Sequence, residues 1–478
     1  MADLKVNEIR IPDLIVDGRR LETATTFDVV NPATGRVFAQ APLASRDDLD
    51  TAVAAARRAF PEWARTPIDE RAAAVLEIAQ AIEAEREPLA RLLSAEQGKP
   101  IHGGAAGEIM GALVWARATA KLRPVVETVR DDDTALVQVH RKPLGVVGSI
   151  TPWNHPVMIA VWHIMPALIA GNTIVVKPSS YTPLSTLRLV EIANAHLPPG
   201  VLNSVAGEGG LGRAIAEHPG IDKIVFTGST PTGRSIMASG SANLKRLTLE
   251  LGGNDAAIVL PDADIDAIAP KIFAKSFGNS GQTCAALKRL YVHESLHDQL
   301  AGRLSALARE ARLGPGDDPA SQFGPVQNRA QFDFVCELAD DARANGGRFL
   351  VGGQPLAGDG YFFPLSIVVD VSDGTRVVDE EQFGPILPII RYSDPEDALA
   401  RANANENGLG GSIWSSDIDA ATAMAQRLEC GTAWVNDHAT ISPDAPFGGA
   451  KQSGIGAEFG LHGLDEYMQL QTLRIGRG

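Results

Sequence analysis

The chain has 478 residues, of which 45% are hydrophobic, and this length predicts two or more domains. A net charge of -15 at pH 7 argues against nucleic acid or an anionic membrane surface as a partner. Three cysteines without paired spacing fit a reducing compartment, and no residue spacing indicates a metal site. The N-terminus lacks a signal-peptide core, and the longest apolar run, residues 156–170, is too short to span a bilayer. We therefore expect a cytoplasmic protein without a membrane partner.

Short strands and turns are predicted over residues 12–40. Ser45 is the predicted N-cap of a helix whose first turn carries Asp47 and Asp48. Apolar residues at three- and four-residue spacing then predict helices to about Leu122. Residues 134–142 alternate and predict an exposed strand.

From Gly145 onward, apolar strands alternate with helices, a pattern typical of a parallel sheet covered on both faces. Ligands of such sheets bind at the carboxyl ends of the strands, and three of these ends carry Lys177, Gly207 and Ser229. A second alternating set after Gly253 predicts a second α/β domain. The tail LDEYMQLQTLRI is predicted to be a strand outside both cores, pairing with a neighbouring edge or with another subunit.

Cys284 lies in GNSGQTCAA, among small and polar residues after a predicted helix over residues 265–276, which favours a position facing a cleft. Most cysteines are structural, and Cys336 and Cys430 lie in amphipathic runs typical of helix packing. A thiol that attacks a carbonyl needs a base or a depressed pKa, and a group that stabilises the oxyanion.

Two residues are candidates for these auxiliary roles. Asn154, held between prolines in TPWNHP, can donate its carboxamide N–H to an oxyanion, or it is simply a turn residue. Glu250 ends a strand in LELGGN in apolar company, where burial would raise its pKa towards that of a general base. The alternative for Glu250 is a structural ion pair.

The strand ends also predict a dinucleotide site. Lys177 could hold a ribose hydroxyl or a phosphate, although a solvated surface lysine fits equally well. Residues 207–212 match GxGxxG, a weak signal in a glycine-rich chain. The FTGSTPTG turn is the better phosphate candidate, because the helix after it starts at Ser229 with free N–H groups.

Taken together, PWN, VVKPS, FTGS, LELGGN, GQTC, EEQFGP and PFGGAKQSG occur in the order typical of the aldehyde dehydrogenase superfamily. The chain resembles its NAD(P)-dependent, hydrolytic, non-acylating type over nearly the whole length. The resemblance implies an α/β fold with a Rossmann-like cofactor domain (1–121 and 145–252), a second α/β catalytic domain (253–463) and a small β oligomerisation element (122–144 and 464–478). It also implies a homodimer or homotetramer formed through the C-terminal strand.

The resemblance further implies that Cys284 forms a thiohemiacetal with the aldehyde, stabilised by Asn154 and the main-chain N–H of Cys284. Loss of hydride would give a thioester, which water activated by Glu250 hydrolyses to the acid. Glu458 matches a position that assists proton relay in some members. The expected contacts of NAD or NADP, with NAD slightly favoured, are Trp153, Lys177, Ser180, Gly207, Gly212, Phe226, Gly228, Ser229, Leu251, Glu381 and Phe383. The expected walls of the aldehyde tunnel are His155, Trp162 and Phe447.

Three positions depart from the family pattern. Ser180 replaces an acid that NAD-preferring members often carry, so a 2′-phosphate would meet no repulsion and NADP should be accepted. His155 and Gly278 replace frequently aromatic residues, which predicts a roomier and more polar tunnel end. A CoA-acylating enzyme, a non-catalytic scaffold and a cofactor-independent cysteine hydrolase are the alternatives, and Glu250 argues against the first.

Overall fold

The computed structural model describes residues 10–477, and a six-stranded sheet organises its first half. Residues 1–9 and 478 lie outside the described residues. They are the first and last parts of the predicted domains, and residues 1–9 also begin the stretch inspected for a signal peptide. The strands, in order across this sheet, are Gly454–Ile455, Arg246–Glu250, Lys223–Thr227, Val146–Ile150, Thr173–Lys177 and Leu202–Ser204. All neighbours run parallel except Gly454–Ile455, which returns from late in the chain to pair antiparallel with Arg246–Glu250. The predicted parallel sheet is confirmed.

A seven-stranded sheet organises the second half and confirms the second α/β unit. Its strands, in order, are Arg348–Val351, Ser366–Val369, Ile386–Tyr392, Leu287–His293, Asp255–Val259, Gly410–Trp414 and Thr432–Val435. The central strand Ile386–Tyr392 was not predicted. Pro388 lies inside it and pairs with Val368, and a proline within an apolar run ordinarily argues against a central strand.

Helices cover both sheets. The α-helices are Arg46–Arg65, Ile68–Ala84, Arg86–Gln97, Ala106–Thr119, Pro156–Ala170, Leu184–Asn194, Gly209–Glu217, Thr230–Gly240, Ile265–Phe277, His297–Glu310, Arg329–Ala344, Arg376–Asp379, Pro395–Asn403, Ile418–Ala425 and Gly460–Asp465. Ser45 caps the first helix as predicted, since its hydroxyl accepts from the Asp48 N–H while the Asp48 carboxylate accepts from the Ser45 N–H. A π-helical turn, Ile101–Ala105, and two 3-10 turns, Ser241–Asn243 and Gly278–Gly281, complete the helical segments.

The apolar helix Pro156–Ala170 lies in the core, as predicted, with nearly all of its side chains buried. It packs beside the strand Thr173–Lys177 and the helix Ala106–Thr119. This packing fixes the loop that precedes the helix, which carries Asn154. Across residues 10–477, the structure contains no helix with both the length and the apolar character needed to cross a membrane.

Smaller sheets lie at the edges. The C-terminal strand Met468–Gly476 pairs antiparallel with Ala135–Pro143, which also pairs with Glu127–Asp131. The tail therefore pairs with a neighbouring edge of its own chain, one of the two predicted alternatives. The remaining two-stranded pairs are Leu14–Val16 with Arg19–Leu21, Thr25–Asn31 with Arg36–Leu43, and Asn407–Gly408 with Ala450–Lys451.

Candidate active site

Two cavities meet at Cys284. One, of about 470 Å³, lies at the carboxyl ends of the strands in the six-stranded sheet, and we call it the strand-end cleft. The other, of about 400 Å³, is walled by Trp115, Trp162 and Phe447, and we call it the aromatic pocket. Cys284 is the residue that the two linings share.

The loop before Cys284 is held rigidly. Asn279 and Ser280 adopt left-handed backbone conformations, with φ of 53° and 56°. The Ser280 hydroxyl donates to the Gly324 carbonyl over 2.7 Å, and the Gln282 amide donates to the carbonyls of Asn279 and Pro325. Gly281, with φ of 74°, lies so close to Gly384 that a Cβ would be 2.2 Å from its carbonyl oxygen. These contacts fix the thiol at the junction of the two cavities.

The environment of Cys284 keeps its thiol protonated. Burial raises the pKa of Cys284 to about 12; the Lys288 ammonium opposes this shift, and nearby carboxylates, including that of Glu250, add to it. A thiol with such a pKa is neutral at pH 7 and needs help to become a thiolate.

Asn154 is buried beside this loop. Its Nδ2 donates one hydrogen to the Gln282 carbonyl over 3.1 Å, which leaves a second hydrogen for another acceptor. The main-chain carbonyl of Asn154 accepts hydrogen bonds from Lys99 Nζ at 2.9 Å and from Asn279 Nδ2 at 3.1 Å. Within the described residues, the main-chain N–H of Cys284 has no acceptor. Asn154 and the main-chain N–H of Cys284 each keep a free donor hydrogen, and both residues line the strand-end cleft. An oxyanion site requires such donors.

Glu250 ends its strand in a buried position. Neither carboxyl oxygen has a hydrogen-bond partner, and no basic side chain pairs with it, among residues 10–477. Burial, reinforced by the Glu458 carboxylate, raises the pKa of Glu250 well above its ordinary value. The absence of a cation weighs against the structural ion-pair alternative.

Glu458 connects Glu250 to a buried histidine that sequence reasoning did not select. Residues Phe447 and Glu458 exchange main-chain hydrogen bonds of 2.9 and 2.7 Å, which set the Glu458 side chain facing inward. Its Oε1 lies 3.3 Å from His163 Nε2, close enough for an ion pair although not aligned for a hydrogen bond. His163 also contacts the hydroxyls of Ser149 and Thr227 at 2.9 and 3.2 Å. His163 lies in an apolar helix, where sequence alone indicates core packing.

The strand-end cleft collects most of the predicted cofactor residues. Its lining includes Trp153, Lys177, Ser180, Phe226, Gly228, Ser229, Leu251, Glu381 and Phe383. Gly207 and Gly212 are not in this lining: Gly207 packs against Leu43 and Leu211, and Gly212 stands beside the Lys177 stem. Gly209, not selected from the sequence, lines the cleft at the start of its helix. Residues 207–212 contain four glycines, and the motif alone did not identify which of them lines the cleft.

The cleft fits a dinucleotide. Ser229 precedes the helix Thr230–Gly240 without a side-chain cap, which leaves the first N–H groups for an anion such as a pyrophosphate. Lys177 is buried and bonds to the Pro178 carbonyl, and burial lowers the pKa of Lys177 to about 8. At Gly252 a Cβ would be 2.2 Å from a Glu381 carboxyl oxygen, so a side chain at this position would displace that carboxylate.

The aromatic pocket contains the predicted walls His155, Trp162 and Phe447. Trp115, which sequence reasoning did not select, packs against Trp162 with ring centres 5.5 Å apart. No atom lies within 4 Å of the position of a Cβ on Gly278, so the pocket is open on that side as predicted.

A buried ion pair supports the polar side of this pocket. Lys99 Nζ lies 2.5 Å from the Glu108 carboxylate, and both side chains are almost inaccessible. His155 bridges Glu108 and the Thr283 hydroxyl, each at 3.3 Å. Although burial acts in the opposite direction, the Lys99 ammonium lowers the pKa of Glu108 to about 2.

Among residues 10–477, no group of three or more His, Cys, Asp or Glu could hold a metal ion.

Comparison with known proteins agrees with this geometry. The aldehyde dehydrogenase family model matches residues 20–473. The chain is 38% identical over 462 residues to aldehyde dehydrogenase LUC3 of Fusarium sp, covering 96% of this chain and 97% of that protein. It is 40% identical to a crystal structure of a putative aldehyde dehydrogenase from Burkholderia cenocepacia, covering 98% of both chains with a TM-score of 0.94. It is 32% identical to betaine aldehyde dehydrogenase from Staphylococcus aureus in complex with NAD+, covering 99% of this chain and 96% of that one with a TM-score of 0.95. The chain therefore belongs to the aldehyde dehydrogenase family and is an NAD(P)-dependent oxidoreductase that converts an aldehyde to the carboxylic acid.

Proposed function

We propose that Cys284 is the nucleophile of this oxidation, with NAD or NADP in the strand-end cleft and the aldehyde in the aromatic pocket. One observation carries the assignment: the Cys284 thiol lies where the two cavities meet. An aldehyde carbon bound to Sγ would face the cofactor on one side and keep its substituent in the aromatic pocket. The alternative of a cofactor-independent hydrolase leaves the strand-end cleft without a role.

The Cys284 thiol first loses its proton to water, and attack by the resulting thiolate converts the aldehyde oxygen into an oxyanion. The second Asn154 Nδ2 hydrogen and the main-chain N–H of Cys284 are the proposed donors to it. When bound, the nicotinamide ring supplies the acceptor for the hydride that leaves the thiohemiacetal carbon. A thioester then remains on Cys284.

Glu250 is the proposed base that activates the hydrolytic water. Its raised pKa and free carboxyl oxygens suit it to accept a proton near neutral pH. Glu458 and His163 extend a polar path from Glu250 towards Thr227, and we propose that this path carries the proton away.

A CoA-acylating enzyme passes the acyl group to a thiol and needs no such base. An assay of NAD(P)H formation with a panel of aldehydes, with and without CoA, distinguishes the two.

Within the cleft, Lys177 is the proposed ligand of the adenosine ribose and Glu381 that of the nicotinamide ribose, with Phe383 beside the nicotinamide. Phe383 packs edge-on against Trp153, with ring centres 5.1 Å apart, which gives that end of the cleft an aromatic wall. Ser180 lines the cleft without a charge, so we propose that NADP is accepted alongside NAD.

We also propose that the chain divides into the cofactor domain, the catalytic domain and the oligomerisation element that the resemblance implies. Residues 122–144 and 464–478 form the oligomerisation element of a homodimer or homotetramer. Leu473 and Ile475 support this, because both are apolar and are 42% and 47% exposed on one face of the C-terminal strand.

All three cysteines are free, which supports a reducing, cytoplasmic location.

Replacing Cys284 by serine should abolish aldehyde oxidation while leaving fold and cofactor binding intact. An alcohol is far less nucleophilic than a thiolate, and losing a nucleophile typically costs roughly a thousandfold or more in turnover. NAD(P)H absorbance reports the loss, and intrinsic fluorescence on titration with NAD reports cofactor binding. Cys336→Ser is the matched control and should keep wild-type turnover. A Cys284→Ser enzyme with most of its activity would remove the thiol from the mechanism.

Replacing Glu250 by glutamine should slow thioester hydrolysis more than hydride transfer. The amide keeps the shape but cannot accept a proton, so acyl-enzyme should accumulate. Rapid mixing should show a retained burst of NAD(P)H followed by a slow steady state. If burst and steady state vanish together, Glu250 acts instead in activating Cys284.

Replacing Ser180 by glutamate should weaken NADP selectively. A like-charge clash with the 2′-phosphate is worth on the order of 1–3 kcal/mol, or roughly tenfold to a hundredfold in affinity. Titrating wild type and variant with both cofactors measures the effect, and NAD affinity should be nearly unchanged. Equal losses for the two cofactors, or no NADP binding to wild type, would show that this position does not govern the choice.

Introducing lysine at both Leu473 and Ile475 should break the proposed oligomer, because two buried charges without partners oppose association. Size-exclusion chromatography with light scattering should give a smaller mass than for wild type. Val37→Lys, at an exposed apolar residue of the Thr25–Asn31 and Arg36–Leu43 hairpin, is the control. A double variant with the wild-type mass would place the interface elsewhere.

A further inference from the structure

Lys288 is a buried cation directly behind the nucleophile. It lies in the strand Leu287–His293, four residues after Cys284, and its side chain is 3% exposed. Its ammonium donates a hydrogen bond to the carbonyl oxygen of Cys284 itself. Burying an ammonium is costly unless several acceptors surround it.

Three separate segments provide those acceptors. Lys288 Nζ donates to the Gly253 carbonyl at 2.7 Å, to the Cys284 carbonyl, and to Glu381 Oε1 at 2.8 Å. Gly253 belongs to the turn that follows Glu250, and Glu381 to the loop that lines the strand-end cleft. One ammonium thus joins the turn after the proposed base, the nucleophile loop and a cofactor-lining carboxylate.

The same contacts fix the orientation of Glu381. Its Oε1 accepts from Lys288 and from the Gly253 N–H at 3.1 Å. Its Oε2 is then turned towards Gly252, where a Cβ would lie 2.2 Å away. One carboxyl oxygen is held by the protein, and the other remains free to accept from a ribose hydroxyl.

The cation also balances a group of acids. Glu250, Asp255 and Glu381 all lie close enough to Cys284 to disfavour its thiolate. Asp255 is fully buried, and neither of its oxygens has a hydrogen-bond partner among the described residues. At Cys284, Lys288 is the positive charge that opposes these carboxylates, and at Asp255 it acts together with Arg289. Removing it would therefore leave the thiolate exposed to the repulsion of the acids.

We propose that Lys288 is a positioning residue that couples cofactor binding to the nucleophile, by holding Glu381 in the cleft and placing a positive charge behind Cys284. The proposal rests on the assignment of Cys284 as nucleophile and of the strand-end cleft as cofactor site. Lys288 itself touches neither substrate nor cofactor in this account. It acts through the carboxylate of Glu381 and through the electrostatic field at the sulfur.

The test uses two substitutions in the full-length protein. Lys288→Met removes both the charge and the hydrogen bonds, whereas Lys288→Gln removes the charge and keeps a donor. In both variants, alkylation of Cys284 by iodoacetamide at a fixed pH of about 8 should slow roughly tenfold, because loss of a nearby opposite charge raises the thiol pKa by roughly one unit and lowers the thiolate fraction. Peptide mass spectrometry assigns the alkylated residue. Removal of a merely structural lysine would not change this rate.

Cofactor affinity gives the second readout. The Kd for NAD should rise roughly tenfold or more in Lys288→Met, the effect expected from loss of a charge-assisted hydrogen bond that orients a ligand group. In Glu381→Gln, the Kd should also rise, and the double variant should bind NAD about as weakly as the weaker single variant, because the two residues act as a unit. Additive losses would overturn the coupling.

Lys245→Met is the matched control. Lys245 is also buried and donates to two main-chain carbonyls, those of His218 and Ile221, but at the amino end of the strand Arg246–Glu250. It should lose thermal stability while keeping the alkylation rate and the NAD affinity of wild type. If Lys288→Met and Lys288→Gln behave like this control, Lys288 is only structural.

The proposal can fail separately from the proposed function. Alkylating Cys284 in the wild-type enzyme must abolish aldehyde oxidation if the thiol is the nucleophile, whatever Lys288 does. Full activity after complete alkylation would refute the role of Cys284. Loss of that activity, together with unchanged alkylation rates in both Lys288 variants, would refute only the role of Lys288.

Discussion

A buried carboxyl group without a partner is the constraint on which the active site depends. Leaving Glu250 in apolar surroundings costs stability, which a purely structural acid would recover through a cation or donors. Among the described residues it has neither, and its neighbour Glu458 adds repulsion. The fold holds Glu250 there because it ends a strand that pairs on both sides, with Lys223–Thr227 and with Gly454–Ile455. The cost in stability creates a group with a raised proton affinity next to the thiol.

The two sheets turn distant parts of the chain into one site. Asn154 follows a strand of the first sheet, Glu250 ends another, and Cys284 precedes a strand of the second. Parallel strands present their carboxyl ends at one edge, which brings Asn154 and Glu250 to the same side of the first sheet. Cys284 reaches the same cleft from the amino end of its strand in the second sheet. The nucleophile loop adds rigidity, because its left-handed residues and its contact with Gly384 leave it little freedom. Precise placement of reacting groups is a large part of catalysis, and here the scaffold supplies it.

Sequence predicted the features that depend on local pattern. Runs of β-branched residues identified most of the strands, and the motif around Cys284 predicted a position facing a cleft, where the structure places two cavities. Pattern failed where tertiary context overrides local preference. The strand Ile386–Tyr392 lies inside the sheet despite Pro388, which has no N–H to donate. It stays there because it pairs with Leu287–His293 on one side and with Ser366–Val369 on the other. The role of Gly207 stays a prediction: it does not line the strand-end cleft, and a Cβ there would meet Leu43 and Leu211.

Sequence also failed to predict which polar side chains are buried, for a different reason. In the sequence, Lys99 and Lys288 look like ordinary lysines, and His163 looks like part of an apolar helix. Their acceptors lie far away in sequence: Lys288 is 93 residues from Glu381, and Lys99 is 55 residues from Asn154. Only the fold reveals that such charges are compensated, since an isolated charge would not be buried.

The claim that the reaction proceeds through an acyl group on Cys284 can be tested by mass spectrometry of enzyme quenched during turnover. Aldehyde and NAD are mixed with the protein, the reaction is stopped in acid, and the digested peptides are weighed. The account predicts an acyl increment, two hydrogens lighter than an aldehyde adduct, on the peptide carrying Cys284, and none when NAD is omitted. NADH formation with no acyl group on that peptide under any quench time, or with the acyl group on Cys336 or Cys430, would contradict it.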